Sequence, residues 1–264
     1  MEPYQLDNFK RWFDAYADRF CAGDEQVGRR LREKHEHTYR TCEEILLLAD
    51  AIGLDENQKR VAEVVALFHD VGRFPQFARY RTYNDARSVD HSRLSVEVLR
   101  EEGVLDVLQR EERQWVETAI EQHGRKVIRP DLKGQALLFT KLIRDADKLD
   151  IFRILLDRHR QYEADPEGVP IEPGLSMASD YSPQVLDAVV NRQTVAYDDM
   201  RTISDMRLLQ IGWVYDMNFP ASLARLRQRG FLEDLFAYLT QTQEVLDLRD
   251  TIREYLDARA PVES

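Results

Sequence analysis

The sequence predicts an all-α protein, and two observations support that fold class. Apolar residues recur at helical spacing in segment after segment, from Gln5 to Tyr255. No stretch alternates apolar and polar residues as a half-buried strand would, and no internal repeat or glycine-rich phosphate-binding motif interrupts the pattern. Because 264 residues can bury a full core and no compositional boundary divides them, we expect one domain, residues 1–264, folded as a helical bundle.

The first half of the chain is predicted to form long helices that direct polar side chains inward. Gln5–Phe20 has aromatic residues on one face and is expected to pack on the core. Glu25–Ala51 is predicted as a second helix, with His37 on its apolar stripe. Asp55 is placed to cap a third helix, which delivers His69 to the inner face at its end.

The next segments add two more histidines. Arg73–Arg87 is irregular, basic and aromatic, and both a lid over a site and a solvated connector fit it. Ser88 or Asp90 could cap a helix with His91 in its first turn. His123 follows the apolar face of the helix after that, just before a glycine that marks its end.

A long helix is predicted from Leu137 to Leu156, followed by a bundle of shorter ones. Asp147 and Asp145 lie on neighbouring apolar faces of the long helix, and periodicity does not choose between them. Tyr162–Pro183 is rich in Pro, Gly and charged residues and is predicted as a surface excursion. Further amphipathic helices, in residues 183–258, are expected to pack on the core. They are Pro183–Val190, Ile203–Tyr215, Ala221–Leu226, Phe231–Leu239 and Val245–Tyr255.

Composition excludes several classes of partner. Asp and Glu outnumber Lys and Arg by 48 to 37, and the formal net charge of -11 disfavours a large nucleic acid or an anionic membrane. No apolar run is long enough to span a bilayer. Two cysteines are too few for a disulfide framework and no apolar leader opens the chain, so we expect a cytoplasmic protein.

The inward-facing polar residues share one chemistry, since all are imidazoles or carboxylates. They are His37, His69, Asp70, His91, His123 and Asp147. Such groups are costly to bury unless they are paired or bind a metal, and a histidine-rich set suits Mn, Fe, Co, Ni or Zn better than Mg or Ca. Ordinary buried core residues are the alternative interpretation. His35 and His159 are expected at the surface.

The order H…HD…H…H…D on successive helices resembles the HD-domain superfamily of metal-dependent phosphohydrolases. The motif HDVGR, ending at Arg73, is similar to the HD-x-G-(Lys/Arg) variant of that family, and ADKLD at residues 146–150 resembles its closing helix. The second match identifies Asp147, rather than Asp145, as the final aspartate. The segment SVDHSRLSVEVL resembles a subgroup of uncharacterised bacterial HD hydrolases. The resemblance covers the chain to about residue 159, with a metal-binding core at about residues 25–159.

The resemblance implies one or two metal ions. One ion would be held by His37, His69, Asp70 and Asp147. A second would be held by His91 and His123, with Asp70 bridging, since a carboxylate has two oxygens with which to join two cations. In the one-ion alternative, His91 and His123 bind a substrate phosphate directly.

We therefore expect a phosphomonoesterase or phosphodiesterase that hydrolyses a small phosphate ester, nucleotides included, with water activated by the metal. Asp70, Arg73 and Lys148 are the expected catalytic residues, and Arg73 and Lys148 are the cations expected to recognise phosphate because each adjoins a ligand-bearing motif. For Lys141 and Arg144, exposed ion pairing is the favoured interpretation. A di-iron oxygenase of the HD type and a non-catalytic metal-containing binding or regulatory module stay open as alternatives.

Overall fold

The computed structural model describes residues 1–22, 24–165 and 175–260. Over these residues the chain is helical and has no strand, apart from an isolated bridge between Ser176 and Thr202. The predicted all-α fold class is therefore confirmed. Among the same residues, no helix combines the length and the apolar character needed to cross a membrane.

The chain divides into two compact units, Met1–Asp150 and Ile151–Ser264. The helices of the first unit are α1 (Pro3–Cys21), α2 (Glu25–Ala51), α3 (Glu56–Phe68), α4 (Arg73–Tyr80), α5 (His91–Glu101) and α6 (Arg110–His123). They are followed by α7 (Gly134–Ala164), whose residues belong to the first unit as far as Asp150 and to the second thereafter. The prediction that residues 1–264 form a single domain stays a prediction.

Aspartates begin three of the helices that reach the histidines. The side chain of Asp24 accepts hydrogen bonds from the first turn of α2, and Asp55 accepts one from Gln58 N at the start of α3. Asp90, not Ser88, caps α5, since its carboxylate accepts from Arg93 N at 3.0 Å. Each carboxylate satisfies backbone donors that have no partner inside the helix.

Helix α3 is the centre of the first unit. From Val61 to Phe68 each of its residues is buried. Helix α1 covers it with aromatic rings, and Phe9 and Trp12 meet the ring of Phe68 edge-on at 5.6 and 5.7 Å. Because α3 is enclosed, its C-terminal cap, His69, is placed in the interior.

The expectation that Arg73–Arg87 is irregular was wrong for its first half. Residues 73–80 form α4, and burial of Phe74 against the rings of Phe13, Tyr16 and Phe20 of α1 stabilises this helix. Pro75 is compatible with this helix, since the first turn has no intrahelical partner for its N–H groups. Arg81 then ends the helix in a left-handed conformation, at φ 56°.

The second unit contains α8 (Pro183–Val190), α9 (Ile203–Gly212), α10 (Pro220–Gln228), α11 (Phe231–Ala237) and α12 (Gln243–Arg259). These lie where the apolar spacing predicts them, except that the end of the predicted Ile203–Tyr215 helix is a 3₁₀ turn, Trp213–Asp216. Within the predicted excursion Tyr162–Pro183, residues 166–174 lie outside the described residues. Its first residues, by contrast, continue α7.

The expectation that His159 is a surface residue was wrong. Its side chain is buried in the second unit, where Arg207 donates to Nδ1 at 3.3 Å and the ring of Tyr238 lies 5.2 Å away. Burial, together with the charge of Arg207, lowers the pKa of His159 to about 4. His35 is half-exposed, as expected, and its Nε2 lies 2.8 Å from Asp14 Oδ1.

Candidate metal centre

Five helices of the first unit bring the six predicted imidazoles and carboxylates into one cluster. His37 is on α2, His69 and Asp70 follow the end of α3, His91 begins α5, His123 ends α6 and Asp147 is on α7. All but Asp147 are buried, and the Asp147 side chain is 20% exposed. Overlapping groups of three have ligand atoms within 4.8 Å of one another, a spacing that one metal ion can bridge.

One side of the cluster is formed by His37, His69, Asp70 and Asp147. His37 Nε2 lies 3.1 Å from Asp147 Oδ1 and 3.9 Å from Asp70 Oδ2. His69 Nε2 lies 3.7 and 3.6 Å from the same two oxygens. Two imidazole nitrogens and two carboxylate oxygens therefore surround one point, which is a donor set for a divalent transition metal.

The other side is formed by His91 and His123 against the second oxygen of Asp70. Asp70 Oδ1 lies 3.5 Å from His91 Nε2 and 3.8 Å from His123 Nε2. The two Nε2 atoms lie 3.1 Å apart. The carboxylate of Asp70 thus turns one oxygen to each pair of histidines.

Each of the four histidines directs Nε2 into the cluster and holds Nδ1 on an acceptor outside it. The Nδ1 atoms of His37 and His91 donate to the carboxylates of Asp150 and Asp85, respectively. Those of His69 and His123 donate to the backbone carbonyls of Ala66 and Ile120, and all four distances are 2.6–2.7 Å. Carboxylates and carbonyls only accept, so Nδ1 bears the proton and, in the neutral ring, Nε2 presents a lone pair. This is the arrangement of metal-binding histidines, whose second nitrogen fixes the tautomer and the ring plane.

Three atoms of the cluster support the fit to a metal. Among the described residues, His37 Nε2, His69 Nε2 and Asp70 Oδ1 are buried and have no hydrogen-bond partner. Such groups are costly to bury, and the lone pairs of His91 and His123 repel one another at their short separation. A cation bound between them would compensate both costs.

Nearby cations and imidazoles stabilise the negative charges of the two carboxylates in the cluster. Burial alone would raise the pKa of Asp70, but Lys34, His69, His123 and Arg73 outweigh burial and hold that pKa well below its usual range. Burial would likewise raise the pKa of Asp147, but the nearby imidazoles of His37 and His69 outweigh burial and hold that pKa well below its usual range. Both carboxylates are therefore ionised and able to bind a metal near neutral pH.

His37 and His91, which lie on opposite sides of Asp70, differ in the direction in which their pKa values are shifted. Burial lowers the pKa of His91 to about 4, so its ring is neutral at pH 7 and can act as a ligand. For His37, burial and Lys34 lower the pKa, but the adjacent carboxylates of Asp147 and Asp150 raise it above its ordinary value. A metal must therefore compete with a proton more strongly at His37 than at His91.

Two glycines allow the helices to approach so closely. A Cβ at Gly72 would lie 2.6 Å from the backbone oxygen of His91 and 2.6 Å from the backbone nitrogen of Ser95. A Cβ at Gly124 would lie 2.6 Å from Ser92 Oγ and 3.0 Å from His91 Cε1. The glycine of the HDVGR motif is therefore needed for the contact between α5 and the end of α3.

The two predicted phosphate-recognition cations lie in different environments. The Nε atom of Arg73 is 3.4 Å from Asp70 Oδ1, and its NH1 group donates to the Gln76 side chain, the carbonyl of Tyr83 and the carboxylate of Asp85. Lys148 is half-buried and follows Asp147 on α7.

Arg144 is buried, and the expectation that it is an exposed ion-pairing residue was wrong. Its NH1 group donates to the carbonyl of His123 at 3.0 Å and to that of Arg125. Arg144 therefore satisfies acceptors at the end of α6, where helical carbonyls have no partner within the helix. Lys141 is half-buried.

Among the described residues, three charged side chains that contact the cluster were not assigned a role from the sequence. Asp150 accepts from His37 and from Arg40, Asp85 accepts from His91, and Lys34 Nζ lies 2.7 Å from Asp70 Oδ2. Spacing could have indicated two of them, since Asp150 lies three residues after Asp147 and Lys34 three before His37, on shared helix faces. Asp85 follows an irregular segment that has no such periodicity.

Comparison with known proteins identifies the domain that contains the cluster. The family model of the HD domain matches residues 35–151, a range that includes all six clustered side chains. No curated protein and no solved structure matches the chain. The matched segment is all-α, and its buried cluster of four histidines and two aspartates fits the metal site of an HD domain, a domain that is typically that of a metal-dependent hydrolase.

Proposed function

We propose that this protein is a metal-dependent phosphohydrolase that acts on a small phosphate ester, with nucleotides among the candidate substrates. The observation that supports the proposal most directly is the orientation of Asp70. One of its oxygens faces the Nε2 atoms of His37 and His69, and the other faces those of His91 and His123. A carboxylate placed in this way can join two cations, and a two-ion centre is suited to phosphoryl transfer.

In the proposed reaction, the protein's own residues would bind the metal ions and keep the ligating side chains in a fixed orientation. Bound divalent ions would supply Lewis-acid stabilisation of the phosphoryl oxygens and a water molecule acidic enough to act as nucleophile near neutral pH. His37, His69, Asp70 and Asp147 would hold one ion, and His91 and His123, with Asp70, a second. The Nδ1 hydrogen bonds keep each imidazole aligned and so reduce the reorganisation needed during the reaction.

An anionic substrate is favoured by the cations around Asp70. Lys34 and Arg73 approach different oxygens of this carboxylate, at 2.7 and 3.4 Å. Both cations also lie over the ring of Tyr83, at 5.5 and 5.8 Å. When metal ions neutralise Asp70, these positive charges are left to attract an anion such as a phosphate ester.

Metal loading followed by a substrate screen tests the proposal. The protein is stripped with a chelator, reloaded separately with Mn, Fe, Co, Ni or Zn, and assayed with p-nitrophenyl phosphate, bis(p-nitrophenyl) phosphate and nucleotides. We expect hydrolysis that follows metal content. His69→Ala should lose both, whereas His35→Ala, which removes an imidazole paired with Asp14 instead, should keep both. Full metal content without hydrolysis of any ester would reject the proposal.

The donor set favours one second candidate. Four imidazoles and two carboxylates are also suitable ligands for iron, so a di-iron oxygenase remains the alternative within catalysis. Iron-loaded protein that is coloured and consumes oxygen with an organic substrate, but does not hydrolyse esters, would favour that candidate. Tight nucleotide binding without any turnover would instead identify a binding or regulatory module.

A further inference from the structure

Lys34 lies closer to the carboxylate of Asp70 than Arg73 does. Its Nζ lies 2.7 Å from Asp70 Oδ2, and it is on the same face of α2 as His37, one turn earlier. The Lys34 side chain is 22% exposed, against 4% for that of Asp70. The ammonium is thus the member of the pair that solvent and a substrate can reach.

Lys34 is also freer to change partners than Arg73. The NH1 group of Arg73 already donates to three acceptors, on Gln76, Tyr83 and Asp85. These contacts hold the guanidinium in place. The side chain of Lys34 contacts Asp70 and the face of Tyr83, and its flexible four-carbon stem can turn without breaking a hydrogen-bonded network.

A metal ion bound at Asp70 would repel the ammonium group of Lys34. The oxygen that Lys34 approaches, Asp70 Oδ2, is the one that faces His37 and His69. An ammonium and a divalent cation on one carboxylate oxygen repel each other at short range in a site that excludes most water. An anion placed beside the ammonium would relieve that repulsion, since it attracts both cations.

We propose that Lys34 is a substrate-binding residue: it leaves Asp70 when metal binds and contacts the phosphoryl group of the substrate. The nature of the anion rests on the proposed phosphohydrolase function. Lys34 thereby couples two equilibria, so that anion binding strengthens metal binding and metal binding strengthens anion binding to the same degree. In the metal-free protein the ammonium serves as the counter-charge of Asp70.

Metal affinity measured with and without inorganic phosphate tests this coupling without any assay of hydrolysis. Mn²⁺ affinity of the full chain is determined by competition with a chelating dye for the wild type, Lys34→Met, Lys34→Arg and Arg30→Met. The last variant removes a cation one turn earlier on α2, whose side chain pairs with Glu33 and not with Asp70. Circular dichroism checks that each variant is folded.

We expect phosphate to raise the Mn²⁺ affinity of the wild type and of Arg30→Met by about 5- to 150-fold, the usual range of coupling between two sites. Lys34→Met should bind Mn²⁺ alone at least as tightly as the wild type, because no ammonium competes for Asp70, but should lose most of the enhancement by phosphate. Lys34→Arg should keep part of it.

Two results would overturn the proposal. Enhancement by phosphate that is unchanged in Lys34→Met would mean that Lys34 does not bind the anion. Weaker Mn²⁺ binding by Lys34→Met in the absence of phosphate would mean that the residue supports the metal site. Coupling that depends on Lys34 in a protein that hydrolyses no ester would reject the phosphohydrolase function and keep Lys34 as an anion-binding residue.

Discussion

Each histidine of the cluster uses its two ring nitrogens for different tasks. Nδ1 is committed to an acceptor outside the cluster, and Nε2 is left facing the other ligands. The outer acceptors differ in kind, since His37 and His91 use the carboxylates Asp150 and Asp85, whereas His69 and His123 use backbone carbonyls. A carboxylate makes its histidine a more basic ligand, so one such histidine supports each side of Asp70.

At the residue scale, the stoichiometry of metal binding distinguishes a two-ion from a one-ion centre. If His91 and His123 hold a second ion with Asp70, His91→Ala and His123→Ala should each lower the metal content by about one ion per chain. The ion expected on the His37 and His69 side should remain. Elemental analysis of protein purified anaerobically makes the measurement. Unchanged metal content in both variants would mean that these histidines bind the substrate phosphate in a one-ion site.

Two aspartates three residues apart on α7 are expected to differ in their effect on metal affinity. Asp147 Oδ1 faces the Nε2 atoms of His37 and His69, whereas Asp150 contacts the outer nitrogen of His37. Asp150→Asn should weaken metal binding about 10- to 100-fold through the orientation of His37, and Asp147→Asn should weaken it further because it removes an anionic ligand. Metal titration of both stripped variants checks the order. A larger loss in Asp150→Asn would contradict the assignment of Asp147 as a ligand.

At the scale of elements, the junction between the end of α3 and the start of α5 determines the shape of the cluster. Ser95 Oγ accepts from the backbone N–H of Gly72 at 2.9 Å and donates to the carbonyl of His69 at 2.9 Å. These two hydrogen bonds fix the start of α5, and therefore His91, against His69 and Asp70. The distance from His91 to His69 and Asp70 therefore depends on how closely α5 approaches the end of α3.

Gly72→Ala is the change that should disturb this junction. The added methyl group would lie 2.6 Å from two backbone atoms, which cannot turn away as a flexible side chain could. We expect a loss of about 1–3 kcal/mol in the free energy of unfolding, typical of overpacking, together with weaker metal binding. Urea unfolding and metal titration measure the two effects.

Gly212→Ala provides the matched control for Gly72→Ala. Its Cβ would meet Val189 Cγ2 at 3.4 Å, which is ordinary contact, and alanine is the better helix former. This variant should be as stable as the wild type or more so. If Gly72→Ala proved equally stable, the close packing of α5 on the end of α3 would not be a requirement of the fold.

At the scale of the whole molecule, acid should destabilise the protein partly through His159. Its pKa is about 4 in the folded protein, lowered by burial and Arg207, and about 6.5 in an unfolded chain. Between these values the unfolded chain binds the proton and the folded protein does not. The contribution of His159 to stability is therefore complete above about pH 6.5 and decreases as the pH falls towards 4.

His159→Gln tests this dependence. One pKa unit corresponds to about 1.4 kcal/mol, so the wild type should lose up to about 3 kcal/mol more than the variant between pH 7.5 and pH 4. Urea unfolding of chelator-treated protein at several pH values measures the difference. Chelator treatment matters because metal binding at the histidines of the first unit would add its own pH dependence. Parallel stability curves for the two proteins would show that His159 has no part in acid sensitivity.

The sequence by itself determined the all-α class, the bounds of α2, the capping of α3 by Asp55 and the six side chains whose chemistry suits a metal. These features depend on local spacing and capping, which a chain displays without its fold. Most helices of the second unit were predictable to within a few residues for the same reason.

Only the tertiary structure decided how those six side chains are supported. Asp150 and His37 are 113 residues apart in the chain, so the hydrogen bond between them depends on how α2 and α7 pack. The contact between Lys34 and Asp70 also depends on the packing of distant segments, as does the burial of His159 against Arg207 and Tyr238. Helical spacing indicates which face of a helix is buried but not which residue of another helix meets it, because that depends on packing between distant segments.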